Sequence, residues 1–147
     1  MKIFISADIE GVNNILIWDE TSLNSAEYGY FRKQMTEEVK RACMGIKKAN
    51  PEAEIFIKDA HDSARNLILS ELPDYVKLHR GWQGCPCSMM GGLDDSFDAV
   101  MFIGYHSAAS LDGNPLSHTM NLRNQYVKIN DELASEFYIN ALYASYL

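Results

Sequence analysis

Three short, nearly apolar segments constrain the fold of this chain more than any other feature. They cover residues 3–9, 54–60 and 99–105 and are rich in Ile, Val, Phe and Met. Strands of a parallel sheet that is covered on both faces by helices have this composition. Apolar residues recur every three or four positions through residues 28–49, which predicts an amphipathic helix between the first two strands. This order predicts a βαβ unit with parallel strands and a right-handed crossover.

The ends of these elements and the later elements give weaker patterns. Asn24 followed by Glu27 fits a capping box at the start of the helix, and Asn50-Pro51 is typical of its end. The weaker segments are a short helix at 66–71, short strands at 76–78 and 126–129, a turn at 130–131, and a helix from Leu133 onward that is apolar enough to be largely buried. The expected fold is α/β, a mostly parallel three-layer sheet with helices on both faces.

Composition narrows the classes of function. A chain of 147 residues is large enough to bury one hydrophobic core, and its net charge of -7 argues against nucleic acid as a partner. No apolar run approaches membrane-spanning length, and the N-terminus has no signal-peptide pattern. The three cysteines, two of which are Cys85 and Cys87, make no disulfide framework. We therefore expect a cytoplasmic protein that binds neither membranes nor nucleic acid.

Polar residues follow each predicted strand, at the edge of the sheet where ligands bind in parallel α/β folds. Asp8 and Glu10 lie two residues apart at the end of the first strand, so their carboxylates project side by side. Adjacent carboxylates repel each other unless a cation or a shared proton holds them. The second and third strands end near His61 and His106. Carboxylates and imidazoles are ligands of zinc and other divalent transition metals, so we expect a metal site there.

Two residues further along the chain are candidates for the same site. His118 lies in a loop whose sequence gives no apolar periodicity to explain a buried imidazole, and Glu136 lies in the first turn of the last helix. The alternative interpretation is solvated acids and hydrogen-bonded structural histidines. His79, the remaining histidine, has no partner pattern and is expected to be structural or exposed.

Six short motifs link these candidate residues to a known family. In chain order they are Asp8-Ile9-Glu10-Gly11, Asp59-Ala60-His61, Gly92-Leu93-Asp94, Gly104-Tyr105-His106, Ser117-His118, and Ile129-Asn130-Asp131 with Glu136. The chain resembles the zinc-dependent D-aminopeptidases of bacterial dipeptide-transport operons, in which such motifs occur in the same order. The resemblance extends from Met1 to the final helix.

The resemblance implies two zinc ions per chain. The implied ligands are Asp8 as the bridge between the ions, Glu10 and His61 completing one site, and His106 and Glu136 completing the other. His118 matches the histidine proposed to act in catalysis, either as nucleophile or in proton transfer. The family hydrolyses short peptides with an N-terminal D-residue and forms ring-like homo-oligomers. Its members continue into a second domain, so residues 1–147 would be the metal-binding catalytic α/β domain without that second domain.

Three other functions remain open on the sequence alone. The chain could be a metal-dependent hydrolase of another substrate, such as an amide or a phosphate ester. It could be a non-catalytic or truncated metal-binding subunit, or a doubly wound binding module without metal. Phosphate is disfavoured because no Gly-rich loop joins a strand to a helix, and Lys58 is the only basic residue close to the strand ends.

Overall fold

The computed structural model describes residues 1–84 and 86–147 and has an α/β architecture. Its elements are β1 (Lys2–Ala7), α1 (Tyr28–Ala49), β2 (Glu54–Asp59), β3 (Val76–His79), β4 (Ala99–Ile103), β5 (Lys128–Ile129), β6 (Glu132–Leu133) and α2 (Glu136–Ser145). Single turns of 3-10 helix occur at Trp18–Glu20, Leu69–Glu71 and Ser88–Met90. No helix in these two ranges is both long and apolar enough to cross a membrane.

The main sheet has the strand order β3-β2-β1-β4, and every neighbouring pair is parallel. β1 lies at the centre, where it pairs with β2 from Lys2↔Glu54 to Ala7↔Asp59 and with β4 from Ile3↔Ala99. β5 and β6 form a separate antiparallel pair. The prediction of a mostly parallel sheet built on a βαβ unit is confirmed, because α1 connects β1 to β2.

Alternate residues of β1 belong to two different hydrophobic clusters, one on each face of the sheet. Ile3 and Ile5 pack with Met35 and Val39 of α1 in the larger cluster. Phe4 points the other way and packs with residues that include Phe56, Met90 and Leu93, and with Tyr143 and Ala144 of α2. Helices therefore cover both faces, as the apolar character of the strands predicts.

β1 and β4 each end two residues earlier than predicted, because their last residues turn toward each other. Asp8 N donates to Ile103 O, and Gly11 N donates to Gly104 O, both at 2.8 Å. A Cβ atom on Gly11 would lie 2.1 Å from Tyr105 O. Glycine is therefore needed at position 11 for this close approach of two backbones.

The start of α1 and the burial of α2 differ from the predictions. The N-cap of α1 is Glu27 with no side-chain hydrogen bond, so the predicted capping box is wrong. α2 begins at Glu136, capped by Ser135, because residues 132–133 pair with β5. Its apolar residues are not largely buried, since Phe137 is 47% exposed and the helix buries Glu136 and Asn140 instead.

The weaker predictions have mixed outcomes. The strand at 76–78 is present as β3, whereas only the single turn Leu69–Glu71 of the predicted helix at 66–71 is helical. The predicted strand at 126–129 is reduced to β5, and Asn130 adopts a positive φ of 55° in the turn that follows. Cys85 lies outside the described residues, and Cys87 is a free thiol.

Candidate metal centre

The six candidate residues converge on one side of the sheet, beyond the carboxyl ends of β1, β2 and β4. They are Asp8, Glu10, His61, His106, His118 and Glu136. All but His118 are at least 92% buried, and three overlapping sets of them bring their ligand atoms within 4.8 Å of one another. Such burial of carboxylates is uncommon unless they are paired or bind a cation.

The first set joins the end of β1 to the end of β2. His61 Nδ1 lies 3.3 Å from Asp8 Oδ1 and 3.1 Å from Glu10 Oε2. The other ring nitrogen, Nε2, lies 3.0 Å from the carbonyl oxygen of Thr21. The carbonyl therefore holds a proton on Nε2 and turns Nδ1 toward the two carboxylates.

The second set shares Asp8 and adds β4 and α2. His106 Nε2 lies 3.5 Å from Asp8 Oδ2 and 3.7 Å from Glu136 Oε2. His106 Nδ1 contacts the carbonyl of Ser107 at 3.0 Å, so the nitrogen aimed at the carboxylates is again the one without the carbonyl partner. The two oxygens of Asp8 thus face different histidines, which is the arrangement that a bridging carboxylate requires.

His118 lies between the two sets. Its Nε2 atom is 3.9 Å from Glu10 Oε1 and 3.5 Å from Glu136 Oε1, while Nδ1 contacts the carbonyl of Leu116 at 2.8 Å. The ring stacks on His106 with centroids 4.2 Å apart, and the edge of Trp18 packs against it at 5.2 Å. His118 is therefore held with one ring nitrogen toward the carboxylates.

Unsatisfied polar atoms provide the test of whether this set fits a cation. Among the described residues, Asp8 Oδ2, Glu10 Oε2 and His106 Nε2 are buried and lack a hydrogen bond of good geometry. Apart from Ser63 Oγ they are the only such side-chain atoms in that part of the chain. Buried polar atoms are costly when unpaired, and these three belong to the ligand sets described above. The donor set fits one or two divalent cations with a preference for oxygen and imidazole ligands, such as zinc.

The electrostatics of the centre are strongly perturbed. Burial lowers the pKa of His61, but the adjacent Asp8 and Glu10 outweigh burial and raise it to about 11. Burial also lowers the pKa of His106, but the adjacent Glu136 and Asp8 outweigh burial and raise it to about 9. Burial and the charge of Glu10 raise the pKa of Asp8 well above its usual range. A cation that binds here must displace protons from the imidazoles, so its affinity falls as the pH falls.

A buried hydrogen-bond network that sequence reasoning missed holds the loop carrying His61. Asp59 accepts hydrogen bonds from the backbone of Asn66 and Leu67 at 2.6 and 2.7 Å and from Asn66 Nδ2 at 2.7 Å. Asn66 Nδ2 also donates to His61 O, and Tyr28 donates to Asn66 Oδ1 at 2.6 Å. Asp59 was recognised only as part of a motif, and no periodicity marks a buried Asn in a loop.

A cavity of about 690 Å³ opens onto the centre. Its walls come from loops and include Trp18, Leu23, Trp82, Met120 and Leu122. This volume lies within the usual range of sites for small organic molecules. The candidate centre is therefore accessible to a ligand of that size.

Lys58 does not line the cavity, although the sequence places it close to the strand ends. It is fully buried, and its Nζ donates to the carbonyl oxygens of Asp59 and Gly81 at 2.8 and 2.6 Å. The ammonium group lies 4.5 Å from the ring centre of Trp82 and so supports that wall from behind.

Comparison with known proteins relates the sequence and the fold of this chain to one family. The D-aminopeptidase family matches residues 1–147. A D-aminopeptidase of Bacillus subtilis (strain 168) is 34% identical over 148 residues, covering 99% of this chain and 52% of that protein. The solved structure of a zinc-dependent D-aminopeptidase from Bacillus subtilis, described as a self-compartmentalizing protease, is similar with a TM-score of 0.90 and 32% identity, covering 99% of this chain and 52% of that one. The chain spans about half the length of the curated relatives it matches.

Proposed function

The chain belongs to the D-aminopeptidase family of peptidases, and on that premise we propose that it is a two-metal aminopeptidase for short peptides or amides with an N-terminal D-amino acid. We also propose that residues 1–147 form the metal-binding catalytic domain. The observation that carries the proposal is the pair of ligand sets that share Asp8, with buried ligand atoms that lack hydrogen bonds.

The proposed ligands follow from the two sets. Asp8 would be a ligand of both zinc ions, with Glu10 and His61 as the further ligands of one and His106 and Glu136 as those of the other. When bound, zinc lowers the pKa of a water molecule and polarises a carbonyl group.

The other residues of the centre orient and protect these side chains. Carbonyl oxygens of Thr21 and Ser107 fix the tautomers of His61 and His106, so that each presents a lone pair to the cation. The backbone N–H of Met120 donates to Glu136 Oε1 at 2.7 Å, which leaves Oε2 toward His106. Because the proposed ligand side chains are buried, the surrounding protein keeps bulk water away from them.

We assign proton transfer to His118. Its Nδ1 proton is held by the carbonyl of Leu116, so Nε2 is the nitrogen available on the side of the cavity that Glu10 and Glu136 also line. From this position Nε2 would take a proton from the attacking water molecule and pass it to the leaving amine. Because His118 also forms a possible ligand set with Glu10 and His106, the assignment requires that its removal leave the metal in place.

The experiment combines metal content with turnover. Elemental analysis of protein purified without chelator should give about two zinc ions per chain, and the protein should release D-alanine from a D-alanyl peptide faster than L-alanine from its L-counterpart. His118→Ala should retain zinc and lose turnover, whereas the control His79→Gln should keep both, because His79 contacts Gly91 O outside the centre. A chain with no zinc, and none regained on adding it, would refute the proposal. Zinc lost from His118→Ala would make His118 a ligand.

The setting of the protein is part of the same proposal. The zinc-dependent relative is described as self-compartmentalizing, and we extend homo-oligomer formation to this chain, with exposed Phe137 and Tyr138 of α2 as apolar surface available for contact. We place the protein in the cytoplasm because Cys43 and Cys87 are free thiols. Sedimentation of the chain under reducing conditions tests the first statement.

A further inference from the structure

The cavity above the candidate centre is lined by four carboxylates, two histidines of the centre and one arginine, together with neutral residues. Asp8, Glu10, Asp62 and Glu136 contribute the carboxylates. Among the described residues that line it, Arg65 is the only Lys or Arg. A ligand with a carboxylate of its own would therefore meet one permanently charged cation, on a residue that belongs to none of the three ligand sets.

The backbone at Arg65 is held firmly, although the side chain is exposed. Ala64 and Asn66 on either side are buried, and Asn66 N donates to Asp59 Oδ2 at 2.6 Å. Arg32 braces the same segment from α1, donating to Asn66 O at 2.7 Å and to Arg65 O at 3.4 Å. The base of the Arg65 side chain is thus fixed at the cavity wall, and only its flexible end is free to adjust to a ligand.

The charge of the Arg65 guanidinium acts on Tyr28, but the guanidinium has no carboxylate partner among the described residues. Within residues 1–84 and 86–147 it makes no ion pair and no hydrogen bond, in contrast to Arg41, which pairs with Glu37 at 2.9 Å. An uncommitted guanidinium offers a planar fork of N–H donors that matches a carboxylate.

We propose that Arg65 binds the C-terminal carboxylate of the substrate peptide, and this inference rests on the proposed peptidase function. The metal centre and Arg65 lie on the same cavity, so a peptide whose scissile bond is at the centre and whose carboxylate is at Arg65 must be short. Arg65 then selects short peptides with a free C-terminus over blocked or longer ones.

Two tryptophans make the test possible without turnover. Trp18 and Trp82 are the only tryptophans of the chain, and both line the cavity. Stopped-flow tryptophan fluorescence of the zinc-loaded protein, read before hydrolysis, would give the affinities for D-alanyl-D-alanine and for its C-terminal amide. Arg65→Gln should weaken binding of the free acid by about tenfold to a hundredfold and leave the amide unchanged, since a hydrogen bond to a charged group is worth roughly 1.5–3 kcal/mol. Arg65→Lys should recover part of the loss.

The matched control is Arg41→Gln, the same change at an exposed arginine of α1 outside the cavity, which should alter neither affinity. An acid-to-amide affinity ratio in Arg65→Gln equal to that of the unaltered protein would overturn the inference, as would failure of the unaltered protein to bind the free acid. The result would differ if the proposed peptidase function were wrong. Neither peptide would then be cleaved, while the preference in binding for the free acid over the amide would still depend on Arg65.

Discussion

Replacement of Gly11 by alanine tests whether the contact between two backbones, rather than the ligands themselves, positions the centre. A Cβ at residue 11 would lie 2.1 Å from Tyr105 O and 2.6 Å from its carbonyl carbon. Real Cβ atoms stay at least 3.0 Å from such atoms, so the segments must separate by about 0.9 Å (3.0 minus 2.1). The obstructing atoms are backbone at the end of β4, and no rotamer change can move them aside.

The expected cost is at the upper end of the range for overpacking. Forced insertion of a methyl group into packed structure costs about 1–3 kcal/mol, and we expect about 3 kcal/mol here because the hydrogen bond from Gly11 N to Gly104 O is stretched as well. With a urea m-value of about 2 kcal/mol/M, this lowers the unfolding midpoint by roughly 1.5 M. The same displacement separates Glu10 from His106 and should weaken zinc binding.

The matched control is the same substitution in α1. Gly45 is exposed within the helix and a Cβ there would meet nothing within 4 Å. Gly45→Ala should therefore stabilise the protein by about 0.5–1 kcal/mol, because alanine loses less backbone freedom in a helix. Both variants would be compared by urea unfolding followed by circular dichroism. A Gly11→Ala midpoint equal to or above that of the unaltered protein would refute the argument.

Three further predictions concern the cation, a thiol and the network behind the centre. Zinc at about a hundred times its Kd should raise the free energy of unfolding by about 2.7 kcal/mol for each ion bound. Asp8→Asn should abolish this response and stabilise the metal-free protein, because burial and the charge of Glu10 both disfavour an ionised Asp8. Thermal scans with and without chelator check both statements. Burial raises the pKa of Cys43 to about 11 from an ordinary 9.0. Iodoacetamide at about pH 8 should therefore label Cys43 in urea but not in the folded protein, as read by mass spectrometry. Because the thiol ionises more easily in the unfolded chain, the free energy of unfolding should fall as the pH rises from 9.0 to about 11, and it should fall less in Cys43→Ala. Asn66→Ala should cost about 3 kcal/mol in urea unfolding, because Asp59 Oδ1, His61 O and the Tyr28 hydroxyl all lose their Asn66 partner while Asp59 Oδ2 keeps its two backbone donors. A loss within about 0.5 kcal/mol, as for an ordinary surface change, would contradict the role of this network.

The parts of the fold that sequence predicts are those set by apolar pattern. β1, β2, β4 and α1 are long enough for periodicity to define them, and α1 covers the predicted residues 28–49. The predicted ends of β1 and β4 were wrong by two residues. The strands end early because Gly11 contacts Gly104, a residue 93 positions away that local sequence does not reveal. The predicted burial of α2 was also wrong. Apolar residues lie on several faces of this helix, and the sheet covers only one of them.

The predicted site residues were recognisable because carboxylates and histidines follow several strands, a pattern that apolar packing does not explain. The structure brings all six together, and their roles as ligands and catalyst stay predictions. The residues that support them were not recognisable. Asn66 and Lys58 are buried by partners that only the folded loops provide, and the stacking of His118 on His106 joins segments with no common sequence pattern.

The origin of the cavity walls has a consequence for how such a protein can diversify. The candidate ligands lie just beyond the sheet and at the start of α2, whereas Trp18, Leu23, Trp82 and Leu122 belong to loops that contribute none of the central ladder. Loops tolerate replacement far better than buried strands do. Mutation can therefore alter which molecule enters without moving the atoms that would act on it, so that selectivity and reactivity are inherited as separable traits.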